Sequence, residues 1–401
     1  MNVVFAFGLN DLLGGGEGML PTLIYTLFLV GFFFFYPRIM LTQIMWKLER
    51  TARDLEILTE KAKHFVISEI DKTPDKALRE SVSRFFNFFV IAPVSLDPYG
   101  IVKKYDHVLK GQENRFEYFV GQVAPHADKE KQANLVMGLA GGITLNEISK
   151  IVRHYVEMIK QTKSFQFAMI LQMQLPLVER ISKAIYKGTR AMAVGHPIGD
   201  GIGPLVAAEL VGSRQVREIE KDIVYAAVPF EGHTLHVLKA KGPGGRLGDP
   251  GKAIGKVLRA HKVGMIVTVD AAAKLEGEKT GTVAEGVGVA MGGPGVERSI
   301  IEDEVTRRNI PIDSIVVKMS QEEAIMPMKK AIADALPEVQ ASLRRSLQRA
   351  KKGEGVIVLG VGNTSGVGNS SAAAKKTVEW VEAHHKKHEE AKNKKKKRKL
   401  Y

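Results

Sequence analysis

Two aspartates stand where this chain could do chemistry. Asp200 lies in AMAVGHPIGDGIGPLVAAEL (191–210), a Gly-rich turn ahead of a helix opening near Pro204, and Asp270 closes the apolar run VGMIVTVDAAA (263–273). Carboxylates at the C-terminal ends of adjacent parallel strands face the ligand crevice of an α/β sheet. With a third ligand from His196 in the first loop, from His233 on a neighbouring strand, or from Glu285, they could hold zinc, nickel or manganese. A metal so bound lowers the pKa of its water to about 7, ready to attack an amide. The plain alternative is that Asp200 caps the following helix and Asp270 braces a turn. With no cysteine in the chain, a Cys nucleophile and a thiolate zinc site are excluded, and no G-x-S-x-G elbow is present.

Three Gly-rich stretches add candidates for anion binding. In KGPGGRLGDPGKA (241–253), Arg246 and Lys252 lie near a helix start. It is not a P-loop, because five residues separate Gly245 from Gly251, and Ala253 stands where a Mg²⁺-binding hydroxyl is needed. EGVGVAMGGPG (285–295) allows close backbone approach. GVIVLGVGNTSGVGNSS (355–371) reads as a strand, a doubled Gly-x-Gly-Asn loop and a helix capped by Ser370 or Ser371. Gly360, Gly362, Asn363, Gly366 and Gly368, with Thr364 and Ser365, could cradle a phosphate, although the spacing is not the dinucleotide fingerprint.

Elements that would position these residues follow from the pattern. Strands are expected at 191–194, 222–227, 234–239, 265–269, 313–318 and 356–359, and helices near 204–212, 250–262, 297–308, 321–335, 338–351 and 370–390. The alternation predicts an α/β domain over 190–390, with a mostly parallel sheet and helices on both faces.

GHPIGDGIGPLVAAEL is similar to the first strand–loop–helix of the hydrogenase-maturation endopeptidases, and VGMIVTVDAAA resembles the strand that ends in a second acid there and in the germination proteases. The run from Thr280 to Ser320 resembles the germination-protease order of Gly-rich loop, helix and Ile-Pro-led strand. The likeness covers about 130 residues and implies a peptidase fold, with Asp200 and Asp270 as the first and second metal-binding acids. The third ligand of the maturation enzymes is a histidine. None occupies its place here, and Ala284–Val296 offers Glu285 instead. The whole arrangement also resembles an uncharacterised archaeal membrane-protein family with no assigned activity.

Ahead of this domain, Met19–Tyr36 is 18 uninterrupted apolar residues, long enough to cross a bilayer core of about 30 Å. The segment before it has no Lys or Arg, whereas Arg38, Lys47, Arg50 and Arg53 follow it. The positive-inside rule predicts a single-pass protein of the cell membrane, with residues 1–18 outside, 19–46 in the membrane and its interface, and the rest cytoplasmic. Residues 47–189 read as helical. Thr73-Pro74 marks one helix start, Thr144 with Glu147 another, and Pro176 is expected to kink an apolar helix over 164–187. The cluster from Phe85 to Ile91, closed by Pro93 and Pro98, is either core or interfacial.

Of the net charge of +14, half resides in 386–399, where nine Lys/Arg meet two Glu. The tail 391–401, and Lys392–Lys399 in particular, suits anionic lipid or RNA, including that of the ribosome. Two functions are compatible with these features. One is a membrane-anchored, metal-dependent amide hydrolase centred on Asp200, Asp270 and His196. The other is a non-catalytic tethered protein that binds phosphate, nucleotide or a partner through its Gly-rich loops.

Overall fold

The computed structural model describes residues 19–94, 100–351 and 353–397. The expectations for residues 1–18, for Pro98 and for the last four residues of the tail lie outside it. Two compact units form: Met1–Glu56 with Ile148–Glu179, and Ile57–Glu147 with Arg180–Tyr401.

The α-helical region comprises α1 (Met19–Ile70), α2 (Lys76–Phe85), α3 (Ile101–Val123), α4 (Lys129–Thr162) and α5 (Phe165–Val194). Two of these are long and apolar enough to cross a membrane, Thr22–Ile70 and Lys129–Thr162. Burial distinguishes them. The apolar window of the first is 0% buried and that of the second 44%, and Leu135, Leu139 and Ile143 of α4 pack in a core with Val66, Phe86 and Phe116. Among the described residues, then, α1 alone exposes its whole apolar run.

Several local expectations are corrected. Asp75, not Thr73, is the N-cap of α2 and accepts from the Leu78 amide at 2.7 Å. Thr144 lies inside α4, with its hydroxyl donating to the Ala140 carbonyl at 3.0 Å, so it starts nothing. The glycines before it serve packing, since a Cβ on Gly138 or Gly142 would meet Ala193 Cβ at 2.7 Å or the Phe86 ring at 2.6 Å. The aromatic cluster is divided, with Phe86 buried while Phe89 and Ile91 are exposed.

The second unit is built on seven strands: β1 (Arg217–Glu220), β2 (Ile223–Phe230), β3 (His233–Ala240), β4 (Val263–Ala273), β5 (Val283–Val287), β6 (Ile312–Met319) and β7 (Gly355–Gly360). Their order is β1-β2-β3-β7-β4-β6-β5. Only the centre, β3-β7-β4-β6, is parallel, while β1, β2 and β5 join antiparallel. The sheet is therefore mixed, not mostly parallel. The reason is local: Glu231 (φ 48°) and Gly232 (φ 82°) close a two-residue turn between β2 and β3, and such a turn can only make an antiparallel pair.

Helices cover both faces. α6 (Ile202–Val211), with α11 (Leu336–Leu347) and α12 (Ser371–Lys397), shares a core with Val267, Val269, Ile315 and Val358. α7 (Pro250–Ala260) and α8 (Val296–Thr306) share the opposite core with Ile266, Leu359 and Leu238. Two short helices, α9 (Gln321–Ile325) and α10 (Lys330–Ala333), replace the single helix expected over 321–335. Ser370 caps α12, accepting from Ala373 N at 3.3 Å.

Residues 191–194 are a correction that bears on the site. They are the last turn of α5, not a strand, so helix–loop–helix replaces the expected strand–loop–helix around Asp200.

Candidate functional site

β3, β7 and β4 run parallel, and Lys239, Gly360 and Val269 stand in one row at their C-terminal ends. Asp270 is the next residue of β4. It follows Ile266 and Thr268 on alternate positions and so points to the α7–α8 face. Asp200 reaches the same edge from a 3-10 turn, Gly199–Gly201, at the start of α6.

This loop is held by close backbone contact. A Cβ on Gly203 would lie 2.2 Å from the Val361 carbonyl oxygen and 2.3 Å from that of Val269. At Gly362 (φ 129°) it would lie 2.0 Å from the Asp200 carbonyl oxygen. Asp200 Oδ2 accepts from the Asn363 amide at 2.7 Å, which locks the 195–203 turn onto the 361–369 loop. Asp200 therefore does not cap its own helix.

Asp270 Oδ1 accepts from the Ala271 amide at 2.6 Å, and the Gly292 amide also serves it. Burial raises the pKa of Asp270, and the neighbouring Asp200 raises it further, to about 8. Asp200 is pushed up as well, by burial, against the pull of the Asn363 amide. Both line one cavity of about 1060 Å³ with Leu109, Glu113 and Phe116 of α3 and Ala133 and Met137 of α4. Two carboxyls that share such a space hold one proton between them more readily than two negative charges.

The expected third ligands are elsewhere. His196 packs against Trp380, 4.7 Å between ring centroids, and Trp380 packs with the α6–α12 core on the other face. His233 opens β3, six residues before the row at Lys239, which places it about 20 Å along the strand. Glu285 pairs across β5–β6 with Ile315, whose side chain belongs to the α6–α11 face, and its carboxylate meets Arg345 at 2.8 Å. The structure thus brings Asp200 and Asp270 together and separates all three others from them. Zinc and nickel sites are built from imidazole or thiolate with carboxylate, and a lone carboxyl pair already engaged by backbone amides does not fit that set.

The anion loops are also committed. Gly244 N donates to Glu130 Oε2 at 2.5 Å, Gly245 N to Asn134 Oδ1 at 2.9 Å, and Gly251 N to Glu297 Oε2 at 2.7 Å. Arg246 bridges Glu130 at 2.6 Å and Asp222 at 3.1 Å. Burial works against the Glu130 carboxylate, but Arg246 and the Gly244 amide hold it below its ordinary pKa. Lys252 pairs with Asp249 at 2.7 Å. Of the loop at 360–369, Gly360 and Gly362 line the cavity. Asn363 Oδ1 turns back to the Ser365 amide, Gly366 packs on Pro197, and Gly368 packs on Ala373. The amides of Gly244, Gly245, Gly251, Asn363, Ser365 and Gly366 are thus taken by this chain's own oxygens.

Sequence reasoning missed the α3–α4 wall and one buried lysine. Lys239 is 1% exposed, and its Nζ donates to the Ala240 carbonyl at 2.7 Å and Asn369 Oδ1 at 2.8 Å. Burial lowers its pKa to about 7. The signal was present, since Leu235, Val237 and Lys239 alternate on one face of HTLHVLKA, and that face is core. Asn369 also accepts from Gly242 N and donates to Gly242 O, so Lys239 anchors the loops beside the cavity. Nearby, Glu113, Glu117 and Asp222 gather close enough to share a cation, with Lys221 3.1 Å from each of the two glutamates.

Fold and site define an α/β domain, carrying two carboxyls on one cavity, that follows an all-α region. Residues 22–195 match the model of the N-terminal domain, and residues 198–368 that of the C-terminal domain, of a protein family of unknown function, DUF1512. The chain carries both domains in order and belongs to that family. No curated protein and no solved structure matches it.

Proposed function

We propose that this protein is a hydrolase tethered to the cell membrane by α1, in which Asp200 and Asp270 act as a coupled acid–base pair on an amide. The observation that carries the proposal is the placement of two carboxyls on one cavity at the C-terminal edge of the parallel strands, Asp270 buried and Asp200 partly buried, with Asp200 raising the pKa of Asp270. The ionised member takes a proton from water as its oxygen bonds to the carbonyl carbon. The protonated member gives its proton to the substrate, and the C–N bond breaks to release an acid and an amine. Arg38, Lys47, Arg50 and Arg53 follow the apolar run, which favours a single pass with the α/β domain in the cytoplasm. Phosphate or nucleotide binding is the weaker reading, because six of the loop amides, those of Gly244, Gly245, Gly251, Asn363, Ser365 and Gly366, already serve this chain's own oxygens.

The test is a screen of the full-length protein against amide and ester substrates. Asp200→Asn and Asp270→Asn should each lower kcat about 10²- to 10⁴-fold, and the rate should fall as pH rises through about 8. Wild-type rates in either variant would refute the assignment. Activity lost to a chelator and restored by manganese would convert the pair into a metal site instead.

The basic end of α12 is proposed to dock on anionic headgroups at about 1 kcal/mol per Lys/Arg near the surface. Removing Lys392–Tyr401 should weaken capture of the protein by anionic vesicles and flatten its salt dependence. Unchanged capture, with loss of RNA binding, would assign the tail to RNA.

A further inference from the structure

Within the unit formed by 1–56 and 148–179, the end of α4 and the start of α5 make a helical hairpin against α1, turning at Lys163 (φ 52°). Ion pairs set the register. Arg153 meets Glu56 at 2.6 Å and Glu49 at 2.9 Å, and Lys160 pairs with Glu49, so α4 runs antiparallel to α1. Thr51 donates to Glu179 at 3.0 Å. Ile44, Leu48 and Leu55 are buried with Val156, Ala168 and Leu175.

The other face of α5 is uncovered. Phe167, Ile170, Met173 and Leu177 are 51%, 58%, 77% and 43% exposed, and their spacing of three, three and four places them in one stripe. No charged residue occurs from Ser164 to Val178, while Lys160 and Lys163 flank the turn. The Thr51–Glu179 contact offsets α5 from α1 by 128 residues, which sets Phe167–Met173 beside residues 39–45. That is where the exposed apolar surface of α1 (Leu27, Phe28, Phe33, Ile39) gives way to Arg38, Lys47 and Arg50.

We infer that the tip of the α4–α5 hairpin is a second membrane contact, lying in the interfacial layer of the bilayer that α1 crosses. The apolar stripe sits roughly 5–10 Å below the headgroup boundary, as in other interfacial helices, with Lys163 at anionic headgroups. Lipid, rather than a protein, is the occupant these features favour. The stripe continues the exposed apolar surface of α1 and shares its bordering cations, and fewer than 20 charge-free residues are too few to span.

The inference rests on α1 being embedded, and a cysteine-free chain allows the two to be tested separately. Leu27→Cys, Ile170→Cys, Met173→Cys and Asp54→Cys, all at exposed positions, are each labelled with an environment-sensitive fluorophore. The full-length protein is then placed in vesicles of phosphatidylcholine with phosphatidylglycerol containing spin-labelled lipid. The expected result is quenching at 27 by deep labels, at 170 and 173 by shallow labels, and none at 54. Quenching at 27 with water-exposed probes at 170 and 173 overturns the hairpin contact and leaves the anchor standing. Probes at 170 and 173 shielded but unquenched would mean a protein covers the stripe, and would overturn it too. No quenching at 27 refutes the anchor and the hairpin contact with it.

Discussion

Replacing Asp270 with asparagine is expected to stabilise the protein, and to do so increasingly as pH rises from about 4 to about 8. The carboxyl has a folded-state pKa of about 8 against an ordinary value of 3.8, raised by burial and by Asp200. Between those values the folded chain keeps a proton that the unfolded chain has released, so wild-type stability falls as pH rises and levels off above about 8. Four pKa units correspond to an upper bound on the order of 5 kcal/mol. Asparagine carries no such cost, because it is neutral at every pH and keeps a side-chain oxygen for the Ala271 amide. Thermal melts of both proteins across this range check the prediction. A difference that does not change with pH, or an asparagine variant that melts lower throughout, would show that Asp270 is not a buried carboxyl forced to ionise. Under the proposed function the same substitution removes activity, the trade expected where a site holds a group that the fold alone disfavours.

Much of the central sheet was legible because buried parallel strands leave a strong trace: VIVL in β7 and MIVTV in β4 are apolar on both faces. The edges were not. β1 reads REIE and β5 reads VAEGV, sequences whose charges suit an exposed edge and hide the strand from an apolar pattern. Four apolar residues, Ala191–Val194, fit a strand or a helix end equally, and only the helix running into them decides. Asp200 was legible from its Gly-rich turn, and Asp270 from its place at the close of an apolar run. His233 and Glu285 were not separable from them in the sequence. Their distance depends on strand register and on which face a side chain takes, and a one-residue slip reverses the face.

Gly203→Ala should abolish the fold of the α/β domain rather than merely weaken it. The added methyl carbon would sit 2.2 Å and 2.3 Å from two carbonyl oxygens, that of Val361 just past β7 and that of Val269 in β4. Neither can rotate away as a side chain would, because both belong to the backbone, and the Val269 oxygen also accepts from Val361 N at 2.8 Å. Relief requires α6 to lift from the sheet. That movement would break the Asp200–Asn363 contact and open a core containing Ile202, Leu205 and Val206. Overpacking ordinarily costs about 1–3 kcal/mol, and a clash confined to backbone should exceed it. Gly111→Ala provides the contrast, since nothing lies within 4 Å of its added carbon inside α3. It should stabilise by about 0.4–1 kcal/mol through helix propensity and lost freedom of the unfolded chain. Denaturant unfolding of the two variants should therefore move in opposite directions. A Gly203→Ala protein as stable as wild type would mean that the Asp200 loop does not lie against the ends of β4 and β7, and the carboxyl pair would lose its geometric basis.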